Sequence, residues 1–388
     1  MAGFIVDTNE HRMIRETTAS IAARYDNDYY FSRSKAHAGI DELWTELGQA
    51  GLLGIHLPEE YGGGGAGLSE TAIVIEELSA HGLPILNSVI SPGICGSIIA
   101  QYGSEAMKAE WLPGVADGSK KIAFALTEPN AGSNSHAVET VAKRDGDGWV
   151  VSGSKYYISA IDEADAVLLV SRDGDLPADT KGRNKLTILL IPVPSERMVV
   201  QRLDTVVVSP DQQSTVFFDE VHVAPEALIG EVGNGLREVF AGLNPERILA
   251  AALSNGIGRY AIKRATAYAK EREVWGVPIG SHQGVSHPIA LSHIEVETSR
   301  LATQRAAELF DEGGDSAEAA NMAKFVASEA SLKALDQAIQ THGGNGLSRE
   351  YGLADLWFTA RLMRTAPVSR EMVLNFVSQS VLGLPASY

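Results

Sequence analysis

A multidomain α+β fold, helical at both ends and β in the middle, is predicted by three observations. Up to about residue 120, apolar residues recur at three- and four-residue spacing. From about 121 to 229 the period falls to two, in β-branched and aromatic runs separated by turn residues. The helical period then returns and holds to the C-terminus. The expected organisation is an N-terminal helical domain over 1–120, a central β domain over 121–229 and a C-terminal helical domain over 230–388.

Each region carries its own signals. Residues 13–25, 41–52 and 69–79 read as amphipathic helices. Gly62, Gly63, Gly64 and Gly65 lie between two of them. No strand precedes this run and no Gly-Lys-Ser/Thr follows, so it predicts a plain loop, not a phosphate cradle. Gly148-Trp-Val-Val-Ser, Ala166-Val-Leu-Leu-Val, Leu186-Thr-Ile-Leu-Leu-Ile and Ser214-Thr-Val-Phe-Phe read as strands, punctuated by Asp145-Gly-Asp-Gly and Asp173-Gly-Asp. Helices resume after Gly233-Asn-Gly. Residues 249–269 are Ala-rich and apolar on more than one face, which predicts burial beyond one bundle and hence an oligomer. Asp315 and Glu318 read as a capping box for the run Met322, Phe325, Leu332, Leu335, Ile339, which stops at Gly343-Gly344.

Composition narrows the function. The 388 residues include 32 basic and 49 acidic ones, a net charge of −17 that repels phosphate backbones and argues against nucleic acid as a partner. Hydrophobic residues at 45% and charged residues at 21% describe an ordinary globular chain. The single cysteine, Cys95, excludes an internal disulfide and a cysteine-rich metal centre, and its apolar surroundings predict a buried, inert thiol. His282, His287 and His293 share no helix face, and Pro288 interrupts them, so no metal is expected. No signal peptide and no spanning apolar run is read, which makes the cytoplasm the expected location and leaves no membrane span. Signatures of a Rossmann dinucleotide site, a serine-hydrolase elbow and a zinc protease are absent.

Five segments, in order, resemble the acyl-CoA dehydrogenase family. They are Gly51-Leu-Leu-Gly-Ile-His-Leu-Pro-Glu-Glu-Tyr-Gly-Gly; Phe124-Ala-Leu-Thr-Glu-Pro-Asn-Ala-Gly-Ser-Asn-Ser; Gly153-Ser-Lys-Tyr-Tyr-Ile-Ser; Arg272-Glu-Val-Trp-Gly-Val-Pro-Ile with Gln283; and Gln340-Thr-His-Gly-Gly-Asn-Gly. The resemblance implies a C-terminal four-helix bundle, non-covalent FAD and a homotetramer built as a dimer of dimers, with a simple dimer left open. It implies that Phe124, Leu126 and Thr127 line the flavin ring, and that Ser133 reaches either the CoA phosphate side or the flavin pyrophosphate. Tyr157 stands where the family usually has Trp, and Ser159 where it has Thr; an aromatic face and a hydroxyl are both kept. Arg272, Trp275 and Gln283 match positions that hold the adenine and pyrophosphate of a neighbouring subunit's FAD. A guanidinium fork suits a diphosphate. Gln340, Gly343 and Gly344 match a flavin-contacting turn, where glycines let backbone approach a ligand closely.

Dehydrogenating a thioester needs a carboxylate to take the α-proton while hydride leaves Cβ. Most of the family carries it in a Glu-Gly-Thr near the C-terminus. The aligned stretch here is Thr365-Ala-Pro-Val-Ser-Arg-Glu, and Pro367 holds the position, with neither a carboxylate nor an N–H. A branch that includes isovaleryl- and long-chain-type enzymes places the base in a helix just before an Arg. Leu243-Asn-Pro-Glu-Arg matches it, which makes Glu246 the expected base. Arg247 would orient the active-site loop or support substrate binding, and Asn244 would lie near the acyl or CoA moiety. Pattern alone also reads Asn244 as an N-cap, Pro245 as a first helical residue and Glu246 as a dipole-facing acid. Glu371 is a second candidate base.

The resemblance thus implies oxidation of an acyl-CoA to a trans-2-enoyl-CoA, with electrons passed to an electron-transferring flavoprotein. A non-catalytic or partner-dependent flavoprotein subunit, or a flavin monooxygenase of the same fold, is the alternative.

Overall fold

The computed structural model describes residue 5 and residues 7–386. Six helices come first: α1 (Asn9–Ala22), α2 (Asn27–Ala36), α3 (Asp41–Gln49), α4 (Leu68–Ala80), α5 (Ser97–Tyr102) and α6 (Glu105–Asp117). Three of their starts are set by side-chain caps: Thr8, Asp26 and Ser104 accept the N–H of His11, Tyr29 and Met107. A π-helical segment, Val89–Gly96, leads into α5. The glycine run is a loop folded back on residues 54–58. A Cβ on Gly63 would sit 2.1 Å from the Leu57 carbonyl oxygen, so the close approach itself requires glycine.

Eight strands follow: β1 (Ile122–Ala125), β2 (Val141–Asp145), β3 (Gly148–Ser159), β4 (Ala166–Asp173), β5 (Leu186–Pro192), β6 (Met198–Arg202), β7 (Gln213–Val223) and β8 (Leu228–Ile229). They form one sheet in the order β6-β7-β3-β2-β4-β5-β8, with β1 parallel to β4. The unbroken apolar run in β4 is explained by burial on both faces. Leu168 and Val170 join one hydrophobic cluster, with α5, α6 and the π-helical segment; Val167 and Leu169 join another on the opposite face. Cys95 is buried in the first of these, with its thiol 3.7 Å from the Ala123 carbonyl.

The rest is helical apart from a short hairpin: α7 (Gly235–Glu271), β9 (Glu273–Val274), β10 (Val277–Pro278), α8 (Gln283–Asp311), α9 (Ala317–His342), α10 (Trp357–Leu362) and α11 (Arg370–Phe376). α7, α8 and α9 pack on one another, and α10 and α11 pack on α9. The all-round apolar stretch of α7 is covered within the chain, because α4 lies on it as well as α8 and α9. Its composition therefore reports contact between the two helical ends of one chain and needs no second copy. One hydrophobic cluster accordingly runs from Ile21 and Leu43 through Leu253 and Ile257 to Leu356. A buried charge cluster reinforces this contact. Glu76 of α4 meets Arg15 of α1, Arg259 of α7 and Arg300 of α8 at 3.0, 2.9 and 2.8 Å. Burial alone would raise the Glu76 pKa, but the three guanidiniums hold it at about 2.

The start of α9 differs from the expected capping box. Ser316 is the N-cap residue, and Asp315 instead accepts the Ala317 N–H at 3.1 Å. The helix ends at His342, and Gly343 follows at φ 60°. Among the described residues, no helix is long and apolar enough to cross a membrane.

Candidate active site

The second and third motif segments are joined by a buried ion pair. Beyond β1 the chain turns at Glu128, whose carboxylate accepts the N–H groups of Glu139 (2.6 Å) and Thr140 (3.0 Å). The Lys155 ammonium on β3 donates to the same carboxylate at 2.8 Å and to the Leu126 carbonyl at 2.8 Å. Lys155 is 0% exposed. Burial opposes ionisation of Glu128, but Lys155 and the backbone donors outweigh it and hold the carboxyl below the usual range. The Tyr156 N–H closes the junction on the Thr127 carbonyl at 2.8 Å. Thr127 is thereby clamped to β3 from both sides.

Around this junction lie the residues expected to face a flavin. Phe124, Leu126 and Thr127 are half-buried, while Ser133 is exposed on the loop beyond. Tyr157 sits in a bulge of β3 with φ 58°, is 55% exposed, and its ring centroid is 4.2 Å from that of Tyr156. A bulky residue at positive φ, with its ring turned outward, is a strained arrangement of the kind that clusters at ligand sites. Ser159 accepts a hydrogen bond from Gln213 Nε2 at 2.7 Å, which leaves its own hydroxyl proton available.

Asn244, Pro245 and Glu246 lie inside α7 and do not start it. The N-cap reading is thus corrected: α7 begins at Gly235, and packing carries the helix through a proline that supplies no N–H. Glu246 is half-buried, and its charge is felt by the Cys95 thiol in the π-helical segment. Desolvation raises the Glu246 pKa to about 7 against the opposing charges of Arg247 and Lys324. Arg247 donates to the Leu243 carbonyl (3.3 Å) and Asn244 Oδ1 (2.7 Å), and its buried Nε has no hydrogen-bond partner among the described residues. Lys324 of α9 is almost wholly buried and donates to the Val368 carbonyl, next to Pro367. Glu371 is exposed in the first turn of α11, where an acid serves the helix dipole.

The remaining expected contacts form a separate surface at the far end of α7. Arg272, Trp275 and Gln283 are exposed; Trp275 is 89% exposed and at φ 55°. Gln340, Gly343 and Gly344 are exposed at the end of α9, and a Cβ on either glycine would meet nothing within 4 Å. Tyr268 ties this region together: its ring stacks on His342 at 4.2 Å, and its hydroxyl bonds Asn345 at 3.2 Å. At about 1.5 Å rise per residue, Glu246 and Arg272 are about 39 Å apart along α7.

Lys155 and Glu128 were not singled out from the sequence, although both lie inside the motifs. The usable signal was register: Lys155 falls on the inward phase of β3, with Trp149 and Val151. Lys324 had only its place in an Ala-rich helix as a clue, and that does not distinguish it.

Residues 8–119, 123–221 and 233–382 match, in order, the acyl-CoA dehydrogenase N-terminal, middle and C-terminal domains. Acyl-CoA dehydrogenase FadE12 of Mycobacterium tuberculosis is 49% identical over 385 residues, covering 99% of this chain and 98% of that one. The chain belongs to the acyl-CoA dehydrogenase family. Among solved structures, butyryl-CoA dehydrogenase from Megasphaera elsdenii superposes with a TM-score of 0.92 at 26% identity, covering 98% of this chain and 100% of that one. A glutaryl-coenzyme A dehydrogenase in complex with glutaryl-CoA gives 0.93 at 28% identity, covering 99% and 98%. As a member of this family the protein is an acyl-CoA dehydrogenase-type oxidoreductase, and the helix–sheet–helix fold class is the family's own.

Proposed function

We propose that the protein oxidises an acyl-CoA thioester to its trans-2-enoyl-CoA using FAD, with Glu246 as the base and an electron-transferring flavoprotein as the electron acceptor. The observation that carries this reading is the environment of Glu246: a half-buried carboxylate with a pKa raised to about 7, in a chain whose usual base position is Pro367. A carboxylate of that basicity accepts a proton far better than a solvated one.

The residues fit the cofactor. Phe124, Leu126 and the strained Tyr157 offer apolar and aromatic faces, Thr127 and Ser159 offer hydroxyls, and Ser133 offers a further hydroxyl towards FAD or CoA phosphate. What FAD supplies when bound is a hydride acceptor for the substrate Cβ. Arg272 lies about 39 Å from Glu246 along α7, which supports the role the resemblance implies for Arg272, Trp275 and Gln283, holding the FAD of a second copy in a homotetramer or dimer, while Gln340, Gly343 and Gly344 supply a flavin-contacting turn. An exposed guanidinium and an open glycine turn suit a diphosphate.

Within the chain the proton step belongs to α7. The Glu246 carboxylate removes the α-proton as the acyl chain displaces water and raises its basicity further. Arg247, held through Asn244, keeps a positive charge beside it. The Glu128–Lys155 pair fixes the Thr127 loop, which receives the cofactor.

The test is anaerobic addition of an acyl-CoA panel to the purified flavoprotein. Bleaching of the flavin band is expected, slowed by about 10²–10⁴-fold in Glu246→Gln. Bleaching that survives the substitution moves the base elsewhere. No bleaching with any thioester favours the subunit or monooxygenase alternative.

A further inference from the structure

We propose that Lys324 is a positioning residue for this reaction: a buried cation that keeps the Glu246 carboxylate ionised and anchors the segment carrying Pro367 beside it. The inference rests on Glu246 being the base.

Lys324 lies on α9, which packs along α7, and it is 1% exposed. Its ammonium has three donors, yet its only hydrogen bond among the described residues is to the Val368 carbonyl. Among those residues it makes no direct ion pair. A buried ammonium with one neutral acceptor is costly unless a charge answers it from nearby. The charged groups that act on it most strongly are Glu246, Arg247, Glu329 and Glu371. Glu329, on α9 itself, is committed to Arg364 (2.8 Å) and Arg370 (3.1 Å). Glu371 on α11 is exposed and screened by water. Arg247 on α7 has the same sign and adds to the cost. Glu246 on α7 is the remaining anion.

Seen from Glu246, the facing groups are Arg247 on its own helix, Lys324 on α9 and the Cys95 thiol on the π-helical segment. Arg247 is tied back to its own helix through the Leu243 carbonyl and Asn244. Lys324, on the α9 helix packed along α7, is thus the cation on another element whose charge acts on the carboxylate. Burial drives the lysine pKa down to about 8, with Glu246 pulling the other way, so it still carries its proton at neutral pH. The segment that by resemblance carries the carboxylate in most of the family here offers Lys324 only a main-chain oxygen. The lysine therefore ties that segment to α9, which packs along the helix carrying Glu246.

The experiment measures kcat/KM against pH for acyl-CoA oxidation by the holoenzyme, in wild type, Lys324→Gln, Lys324→Met and Lys324→Arg. Gln keeps a donor for Val368 without charge, Met keeps only the length, and Arg keeps the charge. Loss of the cation raises the acid limb by about one pH unit in Gln and Met, lowers kcat/KM about eightfold at pH 6.5 and restores it above pH 8.5. Arg leaves the limb in place. Gln and Met profiles that overlay the wild type, or a loss equal at every pH in all three variants, overturn the proposal. Glu246→Gln run in parallel separates the two readings. If it is inactive throughout while the lysine variants leave the limb unmoved, the lysine inference alone fails. If it remains active, the base assignment fails and takes the inference with it.

Discussion

Replacing Lys155 by Met tests whether the Glu128–Lys155 pair holds the Thr127 loop proposed to receive the flavin. The substitution preserves length and removes the charge. Glu128 keeps its bonds from the Glu139 and Thr140 N–H groups but is left as a buried anion, and the Leu126 carbonyl loses its partner. Breaking one side of a buried pair costs about 3–5 kcal/mol. In the double variant Lys155→Met with Glu128→Gln the orphaned charge is gone, and at least half of that loss is expected back, as a coupling of about 2 kcal/mol in the double-mutant cycle. Chemical denaturation gives the free energies, and retained flavin reports the loop, which is expected to lose FAD in the single variant. The pH dependence carries a sign as well. With its pKa depressed in the fold, Glu128 stabilises fully above the ordinary glutamate value of 4.5, and that contribution fades as pH falls through the folded value. A lone buried Glu128 has its pKa raised instead, so Lys155→Met gains stability on acidification where the wild type loses it. A single-variant loss under about 1 kcal/mol, or additive cycle energies, would refute the reasoning.

Two further outcomes are expected. For Glu246, with a pKa of about 7, kcat/KM rises about tenfold from pH 6 to pH 8, since the ionised fraction goes from about one tenth to about nine tenths; a profile flat over that range counts against a raised pKa. Gly343→Ala should cost about 1–3 kcal/mol through its φ of 60° alone, because nothing crowds the new methyl, whereas Gly344→Ala, outside the positive-φ glycines, should leave stability unchanged and weaken FAD retention. Denaturation midpoints and flavin content separate these, and retained flavin in both variants would remove the turn from the cofactor site.

The legible part of the fold was whatever had long periodicity. The four strands read from the sequence exist as β3, β4, β5 and β7, each with a sustained apolar or alternating run. β1, β2 and β6 were not read. β1 is four residues and takes its place by pairing with β4; β2 ends in Lys143, Arg144 and Asp145; β6 lies at the sheet edge with little buried. Short strands of this kind are specified by their neighbours more than by their own residues. The apolar girth of α7 is accounted for by cover within the chain, which leaves the expected oligomer without support from that feature. Periodicity reports that a face is covered, but it does not say whether the cover is a second chain or α4, which lies well over 150 residues earlier.

The candidate site divides along the same line. The family resemblance, not periodicity or spacing, grouped Phe124, Thr127, Tyr157 and Ser159 as one set of expected contacts and Arg272, Trp275 and Gln340 with others, because a motif is a local object that a resemblance can match piece by piece. Asn244-Pro245 misled for the same reason. Both residues favour a helix start locally, and only the packing of α4, α8 and α9 along α7 makes it worthwhile to continue the helix through a residue with no N–H. That continuation matters chemically. At a helix start Glu246 would face solvent, and the helix dipole would keep it acidic. In the helix interior it loses water to its neighbours and becomes basic, and the cation that keeps this within bounds comes from α9. The basicity of the carboxylate is therefore a property of three segments brought together by the fold, the π-helical segment, α7 and α9.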